Sequence, residues 1–164
     1  MQELILTMKD IELYEIFFSK RKDYYIEKLH LNVEGKRFTF NYAPLIFGIF
    51  WFLYRKMYLE SLIIFLILFA ESNFENMVLI KLIGAEETKL FSIFFTIISS
   101  IIAGFIGNLL YINFAKKNII KSKNNYVDFE ERKDYLLKKG GTSFIPVILV
   151  IFLLIGVTLL TDEI

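Results

Sequence analysis

Few of the residue types that carry enzyme chemistry occur in this chain of 164 residues. His30 is the sole histidine, and cysteine is absent. A zinc centre draws several His or Cys ligands, so this inventory speaks against one, and thiolate catalysis and redox switching go with the missing cysteines. A serine hydrolase needs a histidine base and the G-x-S-x-G turn, and that turn does not occur. Gly140-Gly141-Thr142-Ser143 has the glycines of a phosphate cradle, yet no lysine follows in the P-loop manner. It reads as a joint instead: Gly140 the left-handed terminator of one helix, Thr142 or Ser143 the cap of the next, and Pro146 in its first turn. Arg55, Lys56 and Glu60 cluster at one boundary of an apolar run and Glu71 at its other. Ionisable groups at such boundaries belong to transport routes or anchor the chain at an interface. No set makes a catalytic, cofactor or metal site.

The other notable spacing is of small residues. Ser92, Thr96, Ser100, Gly104 and Asn108 recur every fourth position, and Ser99, Ala103 and Gly107 form a second row beside them. Small residues at that spacing let two helix backbones approach closely. They serve packing on the chain's own helices, or association with a second copy or a partner helix. A pore along them would have nothing ionisable in its wall.

Composition says where such a helix belongs. Hydrophobic types make up 55% and aromatics 17%, with mean hydropathy +0.51, although 23% of residues are charged. Both hold only if apolar and charged residues are segregated along the chain. That excludes a disordered chain, a disulfide scaffold and collagen-like material. The net charge of +1 gives no field for nucleic acid. What fits is an all-α integral membrane protein with the lipid bilayer as its first partner. The N-terminus carries acids from Glu3 onward, unlike a signal peptide, so the first crossing is expected to be an uncleaved anchor.

Three crossings are expected. Residues 90–115 are uncharged, giving a transmembrane helix over 90–113, and a second uncharged run gives one over 143–161. The remaining apolar region is interrupted by Arg55-Lys56. Two cations near mid-membrane would cost about 2.5–3.5 kcal/mol each. Keeping them at the headgroups leaves a short crossing over 57–72 and an aromatic interfacial or re-entrant helix over 43–56; the alternative is one continuous first span. Phe47, Phe50, Trp51 and Tyr54 fall on one face of that interfacial helix, and Pro44 suits its first turn.

Basic residues set the orientation. Residues 1–42 hold seven Lys/Arg and residues 114–142 hold eight, against two in 71–89. The positive-inside rule then places 1–42 and 114–142 in the cytoplasm, and the loop 73–89 and the tail 162–164 outside, in a bacterial inner or plasma membrane. Within the cytoplasmic parts, Leu4, Met8, Ile11, Tyr14 and Phe18 make an amphipathic stripe over 3–18 that either packs on the chain's own body or docks elsewhere. Asp23 is placed to cap a short second helix, YYIEKLH. Glu34-Gly35-Lys36 is placed as a turn between a possible small hairpin of Leu31–Val33 and Arg37–Phe40. A further helix is expected over 126–139. Lys116 to Lys123 contains no acid and suits anionic headgroups without specifying one.

Phe40-Asn41-Tyr42-Ala43, leading through Phe47 and Trp51 into Tyr54-Arg55-Lys56-Met57-Tyr58, resembles the signature of domain of unknown function 2628, a bacterial family of small membrane proteins. Tyr24-Tyr25-x-x-Lys28, Gly107-Asn108-Leu109-Leu110-Tyr111, Lys116-Lys117 and Gly140-Gly141-Thr142-Ser143 extend the resemblance over about residues 16 to 160. Tyr42 stands where that family often has Trp. The resemblance implies membrane residence and supplies no activity, cofactor or ligand. The sequence therefore points to a non-enzymatic membrane component associating through the 92–108 face, alone or in a larger complex, with a small transporter or channel subunit as the competing class.

Overall fold

The computed structural model describes residues 8–161, and among them all regular structure is helical. The elements are α1 (Met8–Phe18), α2 (Lys22–Val33), α3 (Tyr42–Phe47), α4 (Ile49–Tyr54), α5 (Tyr58–Phe74), a π-helical turn (Glu75–Leu79), α6 (Ile80–Ile83), α7 (Ala85–Asn125), α8 (Phe129–Lys139) and α9 (Ile145–Thr161). Residues 1–7 and 162–164, including the expected stripe position Leu4 and the tail, lie outside the described residues.

Local signals explain most boundaries. Asn41 caps α3 by accepting from the Ala43 N–H at 3.0 Å, and Asp128 caps α8 by accepting from Glu130 and Glu131. Gly48, at φ 49, splits the expected 43–56 helix into α3 and α4. The expected hairpin does not form, because Leu31–Val33 continue α2 and bury Asn32 against the body. Gly35, at φ 91, then ends α2, with the Lys36 N–H bonded to the Leu31 carbonyl at 2.8 Å and the Gly35 N–H to that of Asn32. That closure needs a residue without a Cβ cost at positive φ. Asp23 sits in the first turn of α2 and does not cap it; Arg21 precedes the helix at φ 61.

The core is a head of α1, α2, α3, α4, α8 and the second half of α7. Its centre is aromatic: Phe17, Phe18, Tyr25, Phe52 and Tyr111 are closed off from solvent, with Trp51, Met57, Ile112 and Leu136 around them. The buried stripe of α1 is Leu13, Tyr14, Phe17 and Phe18, so α1 packs on the chain's own body, and Met8 is exposed. The α7 helix, about 61 Å long at 1.5 Å per residue, has two environments. From Gly104 to Ser122 it carries all but one of its buried residues. Its earlier half is largely exposed. The expected crossing over 90–113 therefore overlaps the head core at Gly104, Gly107, Asn108, Tyr111 and Ile112, because an uncharged run reads alike whether lipid or protein surrounds it.

Two helices, Tyr58–Ile83 and Ala85–Asn125, are long and apolar enough to cross a bilayer; Ile145–Leu160 is apolar but shorter. The expected loop 73–89 is a tight helical hairpin: the π turn and α6 extend α5, and Gly84 at φ 92 reverses the chain into α7. The crossing expected over 57–72 thus lies within a longer helix except for Met57, which precedes it and is buried in the head. The two arms meet near Gly84, through the π turn, α6 and the start of α7; α5 and α7 do not pack along their length, and α9 packs only on α4.

Between α8 and α9, the left-handed residue is Gly141 at φ 67, and Gly140 is extended at φ −88. Gly140 is required for a different reason than expected: a Cβ there would lie 2.2 Å from the Phe17 carbonyl oxygen, which accepts from the Gly141 N–H at 2.7 Å. We expect Gly140→Ala to lower stability by about 3 kcal/mol through forced separation of α8 from α1. Gly156→Ala, where nothing lies within 4 Å, should be neutral or slightly stabilising. Thermal unfolding of both variants followed by circular dichroism checks the contrast.

Candidate functional site

The link from α4 to α5 turns one cation inward and one outward. Arg55 follows α4 with its N–H on the Trp51 carbonyl, and Lys56 takes a left-handed conformation at φ 60. Arg55 is consequently 3% exposed, while the Lys56 ammonium donates to the Lys138 carbonyl at 3.1 Å. Burial depresses the Lys56 pKa from its ordinary value.

The Arg55 guanidinium lies over the rings of Tyr25, at 4.5 Å, and Tyr111, at 4.9 Å. It donates to the Tyr25 hydroxyl at 3.1 Å and the Tyr111 hydroxyl at 3.3 Å, with longer bonds to the carbonyls of Phe18 and Lys20. The Phe18 carbonyl stands at the C-terminal end of α1, the negative end of its dipole, and the Lys20 carbonyl in the link after it. No carboxylate contacts the cation among the described residues, and its Nε has no hydrogen-bond partner. Its charge is met by partial charges and ring quadrupoles alone. Burial pushes the Tyr25 phenol up and the adjacent guanidinium pulls it down, with burial the larger effect, so the ring stays neutral.

A second polar set fastens the chain segment before α3 to α7. Asn41 donates to the Asn108 side-chain oxygen at 2.8 Å, and Asn108 donates to the hydroxyls of Tyr24 and Thr39 at 2.9 Å each. The Asn41 N–H bonds to the Gly104 carbonyl at 2.9 Å. A Cβ on Gly104 would meet the Phe40 ring at 2.9 Å, and one on Gly107 would meet Pro44 at 2.5 Å. The lower part of the small-residue row is thus the seat of residues 39–44. Of the rest, Ser92 donates to Glu75 across the hairpin and to the Thr88 carbonyl. Ala103, Ser99 and Ser100 are half-covered, and Thr96 is exposed.

The motif residues separate in the same way. Asn41, Trp51, Arg55 and Met57 are buried in the head, Tyr54 packs its ring on Phe144 at 4.7 Å, and Tyr58 is exposed. Arg55, Lys56 and Glu60 do not form one cluster. Arg55 lines a cavity of about 450 Å³ with Lys20, Arg21 and the aromatic face Phe47, Phe50, Trp51 and Tyr54. Lys56 and Glu60 line another, of about 380 Å³, with Lys117, Lys121, Lys138 and Lys139. Sequence reasoning missed Tyr25 and Tyr111 as partners of Arg55, and it missed Glu75 meeting Ser92 of α7 at the π turn. The only local signal for the tyrosines was their place in recurrent motifs. No group of metal-ligating side chains occurs among the described residues.

Arg55→Lys keeps the charge and loses the fork, so it should destabilise the head by about 2–4 kcal/mol. Tyr25→Phe and Tyr111→Phe should each cost about 1.5–3 kcal/mol, and adding either to Arg55→Lys should cost less than the sum of the two alone. Denaturant or thermal unfolding of the singles and doubles measures that coupling.

No curated protein and no solved structure matches the chain. A family model described as a protein of unknown function, DUF2628, matches residues 15–117. The match takes in Tyr25, Asn41, Arg55, Asn108 and Tyr111, whereas Gly140–Ser143, α8 and α9 lie beyond it. With well over half of its length matched around the buried arginine and the asparagine clasp, the chain belongs to the DUF2628 family.

Proposed function

We propose that this chain is a three-span membrane protein with a cytoplasmic helical head, acting as a non-enzymatic component of a membrane assembly. One observation carries the reading: the head is closed around an aromatic core, while the α5–α6 arm, the first half of α7 and α9 leave their large apolar side chains exposed. None of the apolar window of Tyr58–Ile83 is buried. In water such a surface would be strongly unfavourable; in hydrocarbon it is the ordinary state of a helix face. The orientation follows from the cations of the head, and α9 supplies the third crossing, ending outside. A bacterial inner or plasma membrane is the corresponding location.

Association is assigned to the part of the small-residue row that the chain's own packing leaves open: Thr96, Ser99, Ser100 and Ala103. Gly104, Gly107 and Asn108 are already occupied by residues 39–44, so substituting them tests folding and not assembly. The partner is a second copy or another membrane helix.

A transporter subunit is the second reading. Its support is the acid pair Glu71 and Glu75 inside the Tyr58–Ile83 helix, with Glu75 opening the π turn and accepting from Ser92. Flux through liposomes that disappears with Glu75→Gln would select it.

Because the chain has no cysteine, single introduced thiols report topology without background. Ala85→Cys should react with an impermeant maleimide from outside intact cells, and Asn124→Cys only after lysis; the reverse pattern inverts the orientation. Ser99→Leu with Ala103→Leu should reduce the particle mass measured in lipid nanodiscs, with the melting temperature held. An unchanged mass in both nanodiscs and detergent sinks association through this face.

A further inference from the structure

We propose that the 450 Å³ cavity between α3, α4, the α1–α2 link and the start of α9 seats one anionic phospholipid, its phosphate on Lys20 and Arg21 and an acyl chain along the aromatic wall. The volume lies within the range of small-molecule sites. Its wall is Phe47, Phe50, Trp51 and Tyr54 from one side, with Phe144 and Val147 from the other.

Charge selects the head of the occupant. Lys20, Arg21 and Arg55 all line the cavity, and no acid does. Glu15, the nearest acid on α1 in sequence, pairs with Lys22 at 3.0 Å. Lys20 and Arg21 have no ion pair among the described residues, and buried Arg55 has neither a carboxylate nor a partner for its Nε. An anion at this mouth would offset two cations that have no ion pair, and would add a counter-charge near Arg55, which otherwise has only partial charges and ring quadrupoles.

The backbone holds the two outer cations in place. Ser19 and Arg21 both sit at positive φ, 53 and 61, and the Lys20 carbonyl accepts from Arg55. Left-handed conformations at non-glycine residues persist where surrounding contacts impose them, and they concentrate at ligand clamps. Arg55 thus fixes the link that carries Lys20 and Arg21.

The walls select the tail. A soluble phosphate has no use for six aromatic or aliphatic side chains, whereas an acyl chain does. Ile145–Leu160, the apolar run of α9, begins at this cavity. The inference therefore rests on the membrane reading above, with the cavity opening beside the helix that enters the bilayer.

The test uses the full chain. Alkaline-carbonate extraction of membranes comes first: release of the chain sinks the membrane reading. With the chain retained, native mass spectrometry in mild detergent follows titration with phosphatidylglycerol or phosphatidylcholine. One phosphatidylglycerol should be retained, and Lys20→Gln with Arg21→Asn should weaken it about 25-fold, fivefold for each cation, with unfolding temperature held. Asn tolerates the left-handed backbone at 21. Val147→Trp should exclude either lipid by filling the cavity. Lys36→Gln, an exposed cation elsewhere, should change nothing. Equal binding of the two lipids by the unaltered chain, or equal loss in the Lys36 variant, overturns the proposal. Displacement by glycerol 3-phosphate at the same concentration as by the intact lipid overturns the acyl part and assigns the site to a soluble phosphate.

Discussion

A guanidinium shut away from water with no carboxylate beside it constrains everything else in the head. Moving such a charge out of water costs several kcal/mol, so Arg55 is tolerable only if many weaker contacts converge on it at once. They come from separate parts of the chain: a hydroxyl and ring from α2, another pair from α7, and carbonyls from the end of α1 and the link after it. Tyr25 and Tyr111 are far apart in sequence, so the cation gathers elements that local propensity would not bring together. The burial that makes the site costly also keeps the phenols neutral, and a neutral hydroxyl oxygen is what the guanidinium needs as an acceptor.

The same economy explains α7, one continuous helix with two kinds of surroundings. From Gly104 onward its inward residues are Gly107, Asn108, Tyr111, Ala115, Asn118 and Ser122, a face at three- and four-residue steps. Small side chains let Phe40, Pro44 and Trp51 approach the backbone, and Asn108 supplies the polar anchor. Toward the N-terminus the row of small residues continues with its role changed. Among the described residues Thr96 stays exposed, and Ser92 turns to the acid on the neighbouring arm.

Several elements were legible because their signals are local. The amphipathic stripe of α1, the Gly35 turn, the helix α8 within residues 126–139 and the long apolar helices all follow from residues within one or two turns. Other features depend on which surface a residue meets, which periodicity does not encode. Residues 104–112 read as lipid-facing because a core helix and a crossing helix are equally uncharged there. Phe47, Phe50, Trp51 and Tyr54 share the lining of one open cavity, as their spacing predicts, although Gly48 breaks the helix that carries them in two. The hairpin does not form because Leu31–Val33 complete the last turn of α2, burying Asn32 and closing on Gly35. Gly140 was singled out for the right residue type and the wrong cause, since only the folded chain brings the Phe17 carbonyl to its Cα.

Counting cations along the sequence gave an orientation, but the structure sorts those cations by pairing, which is the stronger physical statement. Lys22, Lys28, Lys123 and Lys133 each meet a carboxylate. Around the cavity at the start of α5, Lys117, Lys121, Lys138 and Lys139 have no ion pair among the described residues, and Glu60 is the one acid in the lining. Lys20 and Arg21, beside the start of α9, are in the same condition. Like charges gathered without counter-ions raise the free energy of an isolated head, by amounts that salt reduces but does not abolish. They cease to be a cost where an anionic surface lies against them, each cation then gaining about 1 kcal/mol. Most of the head's cations without an ion pair stand where α5 and α9 leave it, Arg37, Lys116 and Arg132 being the exceptions among the described residues, and that is where the proposed orientation would set the headgroups of the inner leaflet.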